Sequence, residues 1–295
     1  MKILIANRGE IATRVIKTCR ERGIPTVAIY SEVDSANPHV WMADERVCIG
    51  EPREYLNIDK VIAAAHQTGA TAIHPGYGFL SENASFVKRC EKEGIVFIGP
   101  SAEAMDAFAN KSSARILAEK TGVPIVPGAE TCETPEQAIE IAKEIGYPVL
   151  LKAAAGGGGK GMRKVFKEEE IKEAFESASR EGLSSFGDGS LLLEKYVYPA
   201  RHIEVQILGD GKNAIAVGER ECSLQRRYQK VLEEAPAALI PDHAREGVRK
   251  SAVKLCEEIG YSGAGTVEFL VGPDGDHYFL EVNTRLQVEH PVTEM

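Results

Sequence analysis

The chain has no long apolar run. Nothing in it approaches the roughly twenty consecutive apolar residues that a membrane-crossing helix needs. The opening stretch MKILIANRGE breaks at Asn7, too early for the apolar segment of a signal peptide. Positive charge is also short: 35 Lys and Arg stand against 44 Asp and Glu, a net charge of −9. That argues against a nucleic-acid-binding surface, but leaves room for a few cations lining a cleft. The six cysteines, at 19, 48, 90, 132, 222 and 256, are never paired at metal spacing. They read as reduced thiols of a cytoplasmic protein. Two phosphate signatures are missing as well. The first turn, ANRGEIA, carries Gly9 but no G-x-G-x-x-G. GGGGKG continues with Met162 and a strand, where a P-loop needs Ser or Thr and then a helix.

What is present is an ordinary globular composition over 295 residues, 43% hydrophobic and 27% charged, enough for two or three domains. To about residue 100, the strand-like runs KILIA, IPTVAIY, DERVCIG, ATAIH and IVFIG alternate with helical patterns. In the first helix Ile11, Val15, Ile16 and Cys19 recur at helical spacing, and Gly23 closes it. The alternation predicts an α/β fold: a Rossmann-like parallel sheet with helices on both faces. AEAMDAFANKSSARILAEKTG reads as helices, followed by the Pro-bearing linker VPIVPGAE. From about 131 a small α+β unit forms around the glycine loop, with strands YPVLLKAAA, MRKVF and SLLLEKYV and helices at 135–145 and 168–179. From about 201 the strands lengthen and become adjacent: RHIEVQILG and NAIAVGERECS, then a helix at 242–258, then the pair within GTVEFLVGPDGDHYFLEVN. The expected units are 1–112, a helical linker 113–130, a lid 131–203 and a central antiparallel unit 204–295.

Two features carry chemistry. Gly156 to Gly159, with Lys152 before them and Lys160 after, make a strand–loop–strand. Its free backbone N–H groups can cradle a phosphate, or it is a plain hairpin tip. The second feature is the turn signal Asp274-Gly275. Centring the turn there makes 272 face 277, 270 face 279, and Glu268 face Glu281, with Cβ atoms about 5 Å apart. Two carboxylates facing each other among apolar neighbours destabilise a sheet, and a divalent cation would resolve the conflict. Asn283, one step on, is a further possible ligand. Along EVNTRLQVEH the polar residues Glu281, Asn283, Arg285, Gln287 and Glu289 alternate, which places all five on one face of a continued strand.

The stretches ANRGEIA, AIHPGYGFLSEN, GGGGKGM, ERECSLQRRYQKV, EEAPA, GAGTVEFL and EVNTRLQVEHPVTEM, in order and over essentially the whole chain, resemble the biotin carboxylases of the ATP-grasp superfamily. The resemblance implies an ATP-dependent ligase that carboxylates carrier-bound biotin with bicarbonate through carboxyphosphate. It implies ATP, Mg²⁺ or Mn²⁺, and biotin as the carried substrate. It also implies a biotin carboxyl carrier protein and a carboxyltransferase subunit as partners, and a homodimer in full-length members. Lys111, Lys152, Gly158 and Gly159 match ATP-phosphate contacts. Glu194, Lys195, Tyr196 and Val197 match the strand that grips the adenine. His202 and Gln225 match ribose or nucleotide contacts, and Glu268, Glu281 and Asn283 match the metal ligands. Lys230, Arg285, Gln287 and Val288 match the bicarbonate pocket, Glu289 the general base, and Tyr77 and Gly78 a wall beside biotin. A lid closing over ATP would keep water from the intermediate. Other ATP-grasp carboxylate ligases share part of this set, but TRLQVEHPVTEM separates them from it.

Two departures qualify the resemblance. Tyr228 stands where many relatives have His, on the nucleotide side. Members of the family also continue past the position of Met295, with a further active-site arginine and much of the dimer surface. On this reading the chain is a shortened form with impaired turnover, or a fragment that binds nucleotide without activity.

Overall fold

The structure is a computed structural model that describes residues 1–109, 111–154, 161–227 and 229–295. The first five strands are β1 (Ile3–Ile5), β2 (Thr26–Ser31), β3 (Glu45–Gly50), β4 (Ala72–His74) and β5 (Val96–Phe97). They form one parallel sheet in the order β3-β2-β1-β4-β5. Strand β1 shows why both faces are covered. Ile3 and Ile5 gather with Ile11, Val15 and Ile16 of the helix Gly9–Glu21. Leu4, pointing the other way, gathers with Val61, Ile62 and Ala65 of the helix Ile58–Thr68. Asn57 caps that helix, its side chain accepting the Lys60 N–H at 3.2 Å.

Strand order reverses between β1 and β4, where open α/β sheets bind ligands beyond the strand ends. Here the chain fills the place itself. Asn7 Nδ2 donates to the carbonyls of Pro75 and Tyr77, both at 2.7 Å. Gly76, at φ +64°, comes so close that a Cβ there would meet Asn7 Nδ2 at 2.7 Å. The missing dinucleotide fingerprint in ANRGEIA thus has a structural counterpart.

The second sheet holds β6 (Gly128–Cys132), β7 (Val149–Ala153), β8 (Met162–Val165) and β9 (Leu191–Lys195) in the antiparallel order β6-β9-β7-β8. Helices Pro135–Ile145 and Ile171–Phe186 pack against it. Strand β6 corrects the sequence reading, which ran the Pro-bearing linker to residue 130. A short edge strand with Pro on its approach has no alternating apolar pattern, yet Gly128 pairs with Glu194 and Cys132 with Leu191.

The third sheet is antiparallel, in the order β12-β11-β10-β13-β14. Its strands are β10 (Arg201–Asp210), β11 (Ala214–Arg226), β12 (Gln229–Glu234), β13 (Ser262–Val271) and β14 (His277–Asn283). Ile203, Val205 and Ile207 of β10 face the helix Asp242–Glu258 through Val248, Ala252 and Leu255. Alternation sends His202, Glu204 and Gln206 to the opposite face. Strand β12 went unread in the sequence because QKVLEE is an exposed, charged edge with no buried stripe.

The β13–β14 hairpin brings Glu268 opposite Glu281, as the turn rule predicts, but by another route. The pairs 270–279 and 272–277 do not form. Phe269 faces Phe279, Leu270 faces Tyr278 and Val271 faces His277. The reversal is wider than a two-residue turn: Gly272 N–H donates to Asp276 O at 2.8 Å, and Gly275 N–H to Gly272 O at 3.1 Å. That offsets the register by one. A bulge between the 269–279 and 268–281 pairs restores it, leaving Leu280 as the extra residue.

Candidate active site

The polar face of the third sheet and one face of the second line a cleft of about 940 Å³. From the second sheet and its exit come Lys152, Glu194, Lys195, Tyr196 and Val197. From β10, β11 and β12 come His202, Gln225 and Lys230. From β13, β14 and the chain beyond come Glu268, Glu281, Asn283, Arg285, Gln287, Val288 and Glu289. Gly158, Gly159, Tyr228 and the Lys111 side chain lie outside the described residues. Tyr77 and Gly78 are not among the lining residues; the Tyr77 hydroxyl donates to Glu10 on the first helix.

One end of the cleft is apolar and aromatic. Tyr196 stacks on Tyr198 with ring centroids 5.5 Å apart, and Lys164 Nζ sits 4.8 Å from the Tyr196 ring centroid. Lys152 pairs with Glu194 across adjacent strands. Lys195 turns its ammonium to the carbonyls of Gly146 and Tyr147, at 2.8 and 3.0 Å, so its charge braces the second sheet.

The other end is a dense ionic cluster. Glu268 Oε1 accepts from Asn283 Nδ2 at 2.7 Å, Gln287 Nε2 at 3.0 Å and Lys230 Nζ at 3.2 Å. Its Oε2 lies 2.7 Å from His202 Nε2. Lys230 also pairs with Glu204 and reaches Glu289 Oε1 at 2.6 Å. Arg285 donates to Glu82 Oε2 at 2.8 Å and to Asn283 Oδ1 and Leu286 O, both at 3.1 Å. Burial opposes the charge on His202, but its hydrogen bonds to Glu204 and Glu268 outweigh this and raise its pKa to about 9. Burial likewise works against the Lys230 ammonium, and Glu268 and Glu204 more than compensate, holding it firmly protonated. Glu204 and Glu268 stay below the usual carboxylate range despite their burial, through His202 and Lys230.

Sequence reasoning put Arg285, Gln287 and Glu289 on a continued strand. The strand ends at Asn283, and an irregular stretch carries these three into the cleft before the short helix His290–Glu294. It missed Glu204 and Arg220 altogether, both fully buried beneath the cluster. The available signal was His202, Glu204 and Gln206 alternating within the apolar run RHIEVQIL, the same pattern read at 281–289.

The donor set at the hairpin fits a divalent cation. Glu268 and Glu281 offer carboxylate oxygens across one ladder rung, hard ligands suited to Mg²⁺, while the Asn283 amide turns its N–H to Glu268 and its oxygen to Arg285. A second grouping, His202, Glu204 and Glu268, has ligand atoms within 4.8 Å of one another. Arg220 and Lys230 already occupy its charge.

Known proteins place the chain. Residues 1–105 match the biotin carboxylase N-terminal domain, and residues 110–295 match the carbamoyl-phosphate synthase L chain ATP binding domain. The biotin carboxylase of a Nostoc species is 53% identical over 299 residues, covering 100% of this chain and 67% of that protein. The chain belongs to the biotin carboxylase family. The mitochondrial propionyl-CoA carboxylase alpha chain of Sus scrofa is also 53% identical, over 99% of this chain. The chain spans 41% of that longer relative. Among solved structures, the biotin carboxylase domain dimer of the Hydrogenobacter thermophilus 2-oxoglutarate carboxylase, in complex with MgADP, ADP and bicarbonate, superposes with a TM-score of 0.82 at 51% identity. That likeness covers 99% of this chain and 66% of the other. The parallel sheet followed by two antiparallel sheets is the architecture of this family. Among the described residues no helix is long and apolar enough to cross a membrane.

Proposed function

We propose that the cleft binds Mg-ATP and bicarbonate and carboxylates biotin presented by a carrier protein, with a carboxyltransferase as the downstream partner. The observation that carries this reading is the convergence in one cleft of a carboxylate, Glu289, with two cations, Lys230 and Arg285, beside the facing carboxylates of the hairpin. On this reading the first unit (1–112) supplies the biotin-side wall with Tyr77 and Gly78. The second (131–203) covers the nucleotide, and the third (204–295) holds the reacting groups. The aromatic end, with Tyr196 and Val197, takes the adenine; Lys152, together with Lys111, takes the phosphates. Glu268, Glu281 and Asn283 would hold Mg²⁺, which when bound offsets phosphate charge.

Glu289 accepts the proton of bicarbonate as a bicarbonate oxygen forms its bond to the γ-phosphorus and the bridging bond to ADP breaks. Arg285 and Lys230 stabilise the oxyanions that develop, in a cleft where they are poorly screened by water. Carboxyphosphate then parts into CO₂ and phosphate. The phosphate removes the N1 proton of biotin, and N1 attacks CO₂. The family resemblance supports this order of events, and the complex of the Hydrogenobacter relative with MgADP and bicarbonate supports the two ligands it begins from. The decisive experiment measures ATP hydrolysis with and without bicarbonate and free biotin. Hydrolysis that requires bicarbonate and rises with biotin is expected; hydrolysis indifferent to both rules the reading out.

A further inference from the structure

The proposed mechanism leaves one fully buried cation unused. Arg220, on β11, has no solvent exposure. Its guanidinium reaches five side chains on four different segments. Nη1 donates to Gln206 Oε1 on β10 and Thr293 Oγ1 on the final helix, both at 2.9 Å. Nη2 donates to Glu204 Oε2 at 3.2 Å, Thr266 Oγ1 on β13 at 3.1 Å and Gln287 Oε1 at 2.8 Å. Removing such a cation from water is costly, and a core stabilised by packing alone has no need of it.

The contact to Gln287 has a chemical direction. A guanidinium has donors only, so the side of the Gln287 amide that faces it must be the oxygen. The NH₂ group is thereby turned the other way, where one N–H reaches Glu268 Oε1 at 3.0 Å and the group borders the cleft. A free glutamine presents either end of its amide. This one presents N–H, the end that suits an oxyanion. Through Glu204, Arg220 also anchors the carboxylate that holds Lys230. We infer that Arg220 is a positioning residue that sets the sense of the Gln287 amide and so the affinity of the cleft for bicarbonate. The inference rests on the function proposed above, since it takes the anion beside Gln287 to be the substrate.

The test uses Arg220→Lys, which keeps the charge but lacks the planar fork that spans these partners. Two measurements separate the possibilities. The first follows the side-chain N–H₂ signal of Gln287 by ¹⁵N NMR, assigned by its loss in Gln287→Ala. It should exchange slowly in the parent protein and fast in Arg220→Lys at matched thermal stability. The second compares KM values in bicarbonate-dependent ATP hydrolysis. The bicarbonate KM should rise roughly tenfold or more, the scale of one charge-assisted hydrogen bond, with the ATP KM unmoved. Arg220→Lys added to Gln287→Ala should then raise the bicarbonate KM no further. Gln287 exchange unchanged in Arg220→Lys, equal shifts in both KM values, or additive effects in the double variant would overturn the inference. Where Arg220→Lys does not fold, Gln287→Glu carries the test, keeping an oxygen on Arg220 while losing the N–H. Parent-like stability with weakened bicarbonate use supports the inference, and a parent-like bicarbonate KM sinks it. A parent protein without bicarbonate-dependent hydrolysis defeats the functional reading alone, while the exchange measurement still decides whether Arg220 orients the amide.

Discussion

Glu281 faces Glu268 across one rung of the β13–β14 ladder. Glu268 accepts from four side chains, Lys230, Asn283, Gln287 and His202, so the fold itself neutralises much of its charge. Glu281→Gln, which keeps the shape and removes one of the two ligand charges on the rung, should weaken Mg-ATP binding by roughly tenfold or more, since even partners one shell out from a metal act on that scale. Isothermal titration with Mg-ATP measures it, and an unchanged affinity would refute the metal assignment. At this scale the sequence was informative for one simple reason. Asp274-Gly275 and the period of two along a strand are local rules, and they name the pair Glu268 and Glu281, although the bulge at Leu280 that keeps the pair in register is beyond them. Arg220 and Glu204 depend on which face of β11 and β10 is turned to which neighbour, and that is settled only by strand order.

Among the elements, the loop after β4 shows how backbone shape serves the site. The HPGYG segment crosses the mouth of the parallel sheet with Gly76 at φ +64° and Gly78 at φ +68°. Both conformations disfavour a side chain, yet the surroundings differ. A Cβ on Gly76 would press on Asn7 Nδ2 at 2.7 Å, whereas a Cβ on Gly78 meets nothing within 4 Å. Gly78→Ala should cost about 1 kcal/mol, the backbone term alone. Gly76→Ala should cost about 2 kcal/mol or more, because it also dislodges the Asn7 hydrogen bonds to Pro75 and Tyr77. Chemical denaturation of the two variants side by side gives the comparison, and equal losses would remove Asn7 from the explanation. The missed elements share a cause. Strands β6 and β12 are sheet edges, where half the backbone is unpaired and the side chains need not alternate between oil and water.

Across the whole molecule, the first unit meets the arginine of the cleft through Glu82. Glu82, in the segment GFLSEN, accepts from Arg285 Nε at 2.8 Å and from the Thr284 N–H at 3.3 Å. Arg285 therefore sits where two independently built cores meet. Ser262 Oγ, donating to Gly99 O at 3.1 Å, and the Arg14–Glu294 pair hold the same two parts together elsewhere. Glu82→Ala should lower global stability by about 1 kcal/mol or less, because the pair is partly exposed and screened. It should raise the bicarbonate KM several-fold through the released Arg285. Thermal unfolding and the bicarbonate dependence of ATP hydrolysis separate these effects, and a fall in stability with an unchanged KM would make Glu82 a simple interface residue.

The extra residue at Leu280 has a consequence for how the hairpin tolerates change. A wide reversal and a bulge, each displacing the ladder by one place in opposite senses, give it a unit of slack. Length altered by one at the tip can be absorbed at the kink before it reaches the carboxylate rung. The tip is therefore where a sequence could vary in length without retuning the cation site, and the rung is where it could not.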